Sequence, residues 1–292
     1  MIPEFVPQYW PHREHSQMIR AAGLRWHVQV MGPGLGSAPA LLLIHGTGAA
    51  SLSWRDLMPI LARKYTVVVP DLPGHGLTEA PAAARMSLPG MARALQGLLQ
   101  IMDVRPVAAA GHSAGSAILA RMSLDGTLPG TALTTFNGAF LPLAGVAGQI
   151  FSPLARVLAG LPGLPQVFAW QAGRAGTVER LLEGTGSTLD AAGVALYQEL
   201  VRMPGHAGAA LAMMANWNLQ PLVDDLPRLA APLHLVAGTA DRSVPPSQSG
   251  RVQAMVPGAR LTLMPGLGHL AHEERPDEAA ALILRHMAVT PP

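Results

Sequence analysis

The chain has 292 residues, about half of them apolar and only 13% charged, enough for one large α/β domain with a sizeable core. A formal charge of +2 and an isoelectric point near 9.5 agree because Lys64 is the single Lys, Cys is absent and Tyr is scarce, so a small excess of Arg sets the balance. Zero Cys excludes disulfides, thiol catalysis and Cys-based metal sites, and the lack of a basic stripe with interleaved aromatics gives no support to a nucleic-acid partner.

Residues 1–20 carry Pro, His and charge but no apolar core like that of a secretory signal. Short apolar runs ending in glycine-containing turns then recur along the chain. They predict strands at 40–44, 65–69, 106–110, 133–136, 233–237 and 260–264. Helices are expected between them at 53–63, 88–102, 114–124, 248–255 and 277–287. Nearly continuous apolar strands alternating with helices indicate a doubly wound, mostly parallel α/β sheet covered on both faces.

The rhythm fails between about Phe140 and Asn218, where short helical stretches at 153–159, 167–171, 177–183, 189–202 and 208–217 are separated by Gly and Pro. So long a stretch without a strand is expected to be an inserted helical cap rather than a loop. The domain reading is therefore a core of 1–139 and 219–292 with a cap of 140–218. The cap holds Trp170, Met213 and Trp217. These residues either pack the cap onto the body or line an apolar substrate pocket over the site. The longest uncharged stretch, 126–155, is broken by Pro129, Asn137, Pro142, Gln149 and Pro153, which argues against a membrane span. The expectation is a cytoplasmic protein, with contact to a membrane surface left open.

Gly111-His-Ser-Ala-Gly115 lies directly after a predicted strand and before a predicted helix. In that context a serine between glycines reads as an exposed nucleophile on a strained turn. A serine needs a base, and eleven His are available. His45 and His112 lie inside glycine turns, where they are expected to support backbone; His75 sits in another loop and His286 on the terminal helix. His269, in the turn after the last strand, is the candidate. Its rival, His272, falls in the run His272-Glu-Glu-Arg-Pro276, which reads as solvated surface. A His-x-x-His metal site lacks an evident third ligand. Asp241, in the turn after the preceding strand, is the candidate acid and gives the chain order Ser, Asp, His. Asp224 and Asp225 read as a solvated helical patch, and the alternative acid position holds the uncharged Asn137. The backbone amides of Thr47, in His45-Gly-Thr-Gly48, and of Ala114 are the candidate oxyanion donors. This chemistry calls for no cofactor and no metal.

Together with Asp71-Leu-Pro-Gly-His-Gly76, these motifs resemble the α/β-hydrolase superfamily over essentially the whole chain. Trp10-Pro-His-Arg-Glu14, Gly23-Leu-Arg-Trp-His-Val28, Ser53-Trp-Arg-Asp56, Leu88-Pro-Gly-Met91, Met213-Met-Ala-Asn-Trp217 and Gly266-Leu-Gly-His-Leu-Ala-His-Glu-Glu-Arg-Pro276 carry a narrower resemblance. It is to the magnesium-chelatase accessory family of bacteriochlorophyll biosynthesis. That resemblance implies a tetrapyrrole as the apolar ligand or substrate, magnesium-chelatase subunits as partners and a place beside the photosynthetic membrane. Three functions stay open: an esterase for a bulky apolar ester, a porphyrin-binding carrier on a hydrolase scaffold, and a hydrolase of an unrelated small ester. Haloalkane dehalogenase and epoxide hydrolase chemistry is disfavoured because each needs a carboxylate where Ser113 stands.

Overall fold

The computed structural model describes residues 6–142 and 176–289. Eight strands form one sheet: β1 Ser16–Ala21, β2 Leu24–Met31, β3 Ala40–Ile44, β4 Thr66–Pro70, β5 Pro106–His112, β6 Ala132–Phe136, β7 Leu233–Gly238 and β8 Arg260–Met264. Their order is β1-β2-β4-β3-β5-β6-β7-β8. From β4 to β8 every pairing is parallel, while β1 and β2 add an antiparallel edge. The described helices are α1 Leu57–Leu61, α2 Leu88–Ile101, α3 Ala114–Leu124, α4 Thr177–Gly184, α5 Ala191–Arg202, α6 Pro204–Ala215, α7 Gln220–Asp225, α8 Pro246–Met255, α9 Ala271–Glu274 and α10 Pro276–Ala288.

Apolar side chains on opposite sheet faces bury against two helical layers, which is why the central strands read as unbroken hydrophobic runs. On one face Leu42, Ile44, Val68 and Leu133 pack with Leu95, Leu98, Ile118 and Val252. On the other, Leu41, Leu43, Val67 and Phe136 pack with Trp54, Leu57, Ile283 and Leu282. The chain leaves β3 toward β4 on one side and reaches β5 on the other, so the order reverses beside β3. A crevice opens at the carboxyl ends of strands flanking such a switch. The turns after β3 and β5 carry His45-Gly-Thr-Gly48 and Ser113.

Two departures from the expected elements have local causes. The helix expected at 53–63 divides into a 3-10 turn, Ser51–Trp54, and the short α1. Pro59 has no N–H, and its ring excludes a helical bond to the carbonyl four residues back. That carbonyl, of Arg55, instead accepts from His12 Nε2 at 2.8 Å. The β1–β2 hairpin turns through Ala22 and Gly23, both at positive φ (51° and 76°). Such a turn usually announces itself with Asn-Gly or Asp-Gly, and alanine in the first position conceals it.

Between β6 and β7 the described helices α4, α5, α6 and α7 form an insertion. Tyr197 and Leu200 of α5 and Val178 of α4 pack with Trp10, Leu52 and Leu270 of the body. Asp190 caps α5 by accepting from the Gly193 amide at 2.7 Å. The expected helices at 153–159 and 167–171, and Trp170 with them, lie outside the described residues. Among the described residues, no helix is long and apolar enough to cross a membrane.

Candidate active site

The turn after β5 is built from within the body. Ser113 sits at φ 49°, ψ −117°, a region L-residues avoid because Cβ crowds the backbone. The glycines beside it permit that geometry by close approach. A Cβ on Gly111 would stand 2.7 Å from the Ser116 amide nitrogen, and one on Gly115 would run into the carbonyl oxygens of Ile44 and His45. Gly46 is pressed in the same way, since its Cβ would lie 2.9 Å from the Cβ of Ser113. The turn after β3 therefore lies directly against the serine and places Thr47 next to it. Ala114, as the first residue of α3, presents an amide that the helix cannot satisfy.

Two histidines brace this floor as the sequence suggested. The Leu72 amide donates to His45 Nε2 at 2.8 Å, and His45 Nδ1 donates to the Gly46 carbonyl at 2.8 Å. Burial lowers the pKa of His45, so the neutral form that makes both bonds is the one present. His112 Nε2 donates to the His269 carbonyl at 2.9 Å, joining the serine turn to the histidine turn. Burial, with His272 next, pushes His112 well below the usual range.

Asp241 and His269 come from the turns after β7 and β8 and meet. His269 Nδ1 donates to Asp241 Oδ2 at 2.8 Å. The other carboxylate oxygen accepts from the amides of Ser243 (2.7 Å) and Val244 (2.9 Å). With Nδ1 engaged, the free edge of the imidazole is Nε2. The His269 ring packs at a tilt of 59°, centroid to centroid 4.7 Å, on the ring of His112, the residue preceding Ser113. The Ser113 hydroxyl makes no hydrogen bond to another described residue. Such contacts tighten on substrate binding in many hydrolytic sites.

Asn137, the uncharged alternative to Asp241, is part of the same network. Its Nδ2 donates to Asp241 Oδ2 at 2.7 Å, the oxygen that also receives His269, and to the Gly268 carbonyl at 3.3 Å. An amide cannot carry the charge, but it can donate to the group that does. That role was missed because the residue was weighed only as an acid.

The expectation of solvated surface fails at His272 and Glu273. His272 is fully buried, its ring packed at a tilt between Trp54 (4.6 Å) and His112 (4.5 Å); neither ring nitrogen has a hydrogen-bond partner among the described residues, and Nε2 lies 4.0 Å from Glu273 Oε1. Burial, with His269 next, lowers its pKa to about 3. Glu273 is buried as well. It accepts from Arg55 Nη1 and from the Tyr197 hydroxyl, each at 2.6 Å, and ties the insertion to the body. The first half of the run, His272 and Glu273, turns inward on a short helix, with the Glu273 carboxylate met by Arg55 of the body and Tyr197 of the insertion, while Arg275 is exposed as expected. Asp225 is likewise not simply solvated: it accepts from Arg121 (2.7 Å) and Arg228 (2.9 Å) and pins α7 to α3.

Of the three residues offered as pocket lining, Met213 is brought to the site. It is fully buried on α6, and its sulfur accepts from the Thr47 hydroxyl at 3.4 Å. Trp217 is half-buried against the large core on the α2–α3 face, and its indole N–H has no partner among the described residues. Trp170 cannot be placed. His206 of α6, not anticipated, reaches the same region: Nε2 donates to the Gly48 carbonyl (3.1 Å) and Nδ1 accepts from the Gly76 amide (3.0 Å). Burial lowers its pKa to about 4, which keeps this two-way bridge neutral. Among the described residues, no group of three or more His, Cys, Asp or Glu could hold a metal ion.

A family model described as the alpha/beta hydrolase family matches residues 41–282. The chain belongs to the alpha/beta hydrolase family. Within it, the chain is 42% identical over 285 residues to the magnesium-chelatase 30 kDa subunit of Rhodobacter capsulatus, covering 97% of this chain and 98% of that one. It is 27% identical to a pyrrolizixenacetamide deacetylase of Xenorhabdus hominickii over 85% of this chain and 90% of that enzyme. Among solved structures, an epoxide hydrolase superposes with a TM-score of 0.76 at 19% identity, covering 94% of this chain and 98% of the other. The enol-lactonase of Burkholderia xenovorans LB400 does so at 0.73 and 19%, covering 93% and 100%. These structures share the fold across unlike reactions, so the hydrolase scaffold by itself selects no substrate.

Proposed function

We propose that this hydrolase-family chain cleaves a carboxylic ester through an acyl-enzyme on Ser113. The observation that carries the reading is the His269 Nδ1–Asp241 bond at 2.8 Å, beside a serine held at φ 49°. With Nδ1–H committed to Asp241, Nε2 is the basic nitrogen that takes the Ser113 proton as Oγ attacks the carbonyl carbon. The Thr47 and Ala114 amides receive the charge that develops on the carbonyl oxygen. Collapse expels the alcohol, which leaves with the proton from His269. Water then attacks the acyl-serine, gives a proton to His269 and restores Ser113 as the acid departs.

The substrate class we infer is large and apolar. The insertion serves as a cap, with Met213 beside the oxyanion amides and Trp217 and Trp170 as further candidate walls; each buried methylene contributes roughly 0.8 kcal/mol. The resemblance to a magnesium-chelatase subunit directs the choice to a tetrapyrrole side-chain ester and to chelatase subunits as partners. That resemblance also favours a second reading, a porphyrin carrier, because placing Mg²⁺ in a porphyrin needs no hydrolysis. A fluorophosphonate probe and porphyrin titration separate the two. The enzyme is expected to be labelled once, with labelling abolished by Ser113→Ala and with porphyrin esters consumed. Unlabelled wild-type protein that shifts the absorbance of free porphyrin establishes the carrier instead.

A further inference from the structure

The insertion does more than rest on the body: one of its turns is wedged between the two turns that carry Asp241 and His269. The Thr185 carbonyl accepts from the Arg242 amide (3.1 Å) and from the His269 amide (3.3 Å), so one oxygen spans both. Gly186 lies at φ 84°, and a Cβ there would collide with the Ala240 carbonyl. A Cβ on Gly268 would in turn collide with Gly186 itself. Ser187 is 2% exposed, and its Oγ accepts from the Leu270 amide at 2.8 Å. The Thr188 amide donates to Glu274 Oε2 (3.1 Å), whose other oxygen accepts from the Gly268 amide (2.9 Å). The insertion therefore touches the residue after Asp241, His269 itself and the residues on either side of it.

We propose that Thr185, Gly186 and Ser187 are positioning residues for the acid–base pair, so that His269 is competent only while this part of the insertion is seated. The proposal rests on the reading of Asp241 and His269 as acid and base. The physical reason is reach. The two turns meet at their bases, where the Ala240 amide donates to the Leu267 carbonyl at 2.8 Å, whereas the contacts that hold the segments next to Asp241 and at His269 from outside the sheet body come from the insertion. A ligand or partner that lifts the insertion acts on the base without touching Ser113.

Two readouts test this on the full-length protein: the rate and pH profile of fluorophosphonate labelling, and the low-field proton resonance of His269 Nδ1–H. Ser187→Ala is expected to slow labelling about 10- to 100-fold, change the pH profile and weaken or remove the resonance. Gly186→Ala should do the same where Ser187→Ala yields too little folded protein. Tyr197→Phe, which loosens the insertion at Glu273 away from the two turns, is the control. It is expected to lower Tm while keeping rate, profile and resonance. Ser187→Ala and Gly186→Ala proteins with wild-type rate and resonance overturn the proposal. So does Tyr197→Phe reproducing both losses, because general loosening then suffices. Wild-type protein that resists the probe would defeat the esterase reading, and the resonance alone would then decide the positioning role.

Discussion

The turn that carries Ser113, the proposed nucleophile, and the turns that carry Asp241 and His269, the proposed acid and base, differ in what holds them. Ser113 is fixed from within the sheet body: Gly111, Gly115 and Gly46 press backbone against backbone, the Ser113 amide donates to the Phe136 carbonyl (3.0 Å), and the Ser113 carbonyl accepts from the Ala139 amide (3.1 Å). Asp241 and His269 stand on turns that meet through the Ala240 amide and the Leu267 carbonyl and are held by Asn137 of the body beneath and, from outside the body, by Thr185 and Ser187 of the insertion. The geometry of the Ser113 turn is present whenever the sheet is folded. On the positioning proposal, that of His269 depends in addition on the seating of the insertion.

The strongest way to break this comparison is at His269, the proposed base. His269→Ala should reduce turnover by about 10⁴-fold while leaving the serine turn intact, and His272→Ala should cost less than tenfold. Steady-state rates on one ester compare the two; an exchange of effects would move the base to the stacked ring of His272.

A second test addresses the body. Gly115→Ala places a Cβ against the Ile44 and His45 carbonyls, which belong to central strand and turn backbone and cannot swing aside. A loss of about 2–3 kcal/mol is expected in denaturant unfolding. Retained stability would mean the turn is less tightly set than the comparison holds.

How much of this was legible in the chain follows from the same physics. Strands β3 and β8 and helix α3 have the bounds the sequence suggested, because each is closed by a local turn signal: Gly46 and Gly48 after β3, Pro265-Gly266 after β8, and Asp125-Gly126 after α3. Ser113, Asp241 and His269 were named from turns that follow strands, and the fold brings Asp241 onto His269. The wedge at Thr185, Gly186 and Ser187 was not legible. Gly-Thr-Gly-Ser looks like an ordinary connector, and two of its bonds use a backbone carbonyl, which every residue has. The inward turn of His272 and Glu273 was hidden for another reason. Charge predicts exposure only when no partner waits, and Arg55 and Tyr197 lie far off in sequence.

The smallest expected effect is on acid sensitivity, and it sharpens the contrast between the two histidines. His272 has its pKa lowered to about 3 by burial, whereas an unfolded histidine titrates near 6.5. Its contribution is fully present above pH 6.5 and is lost as pH falls toward 3, because the unfolded chain takes up a proton that the folded one refuses. His206, lowered to about 4, and His45, His75 and His112, also lowered, act in the same direction. His272→Phe keeps a ring between Trp54 and His112 and should flatten the stability slope by about 1.4 kcal/mol per pH unit between 6 and 4. Denaturant midpoints at pH 8 and pH 5 measure it; an unchanged slope would place a proton-accepting partner on that ring.

The carbonyl of Thr185 also bears on how such a protein can be rebuilt from parts. Insertions of this kind invite exchange between relatives, since both ends attach to the sheet between β6 and β7. Here the exchanged piece would carry one side of a three-way joint, and its matching surfaces lie in the turns after β7 and β8. A chimera that transplants the insertion alone inherits a mismatch at Gly186 against Ala240 and Gly268. One that transplants the insertion with both downstream turns keeps the joint whole. The unit of inheritance is therefore discontinuous in sequence, and crossover points placed at the insertion's ends divide it.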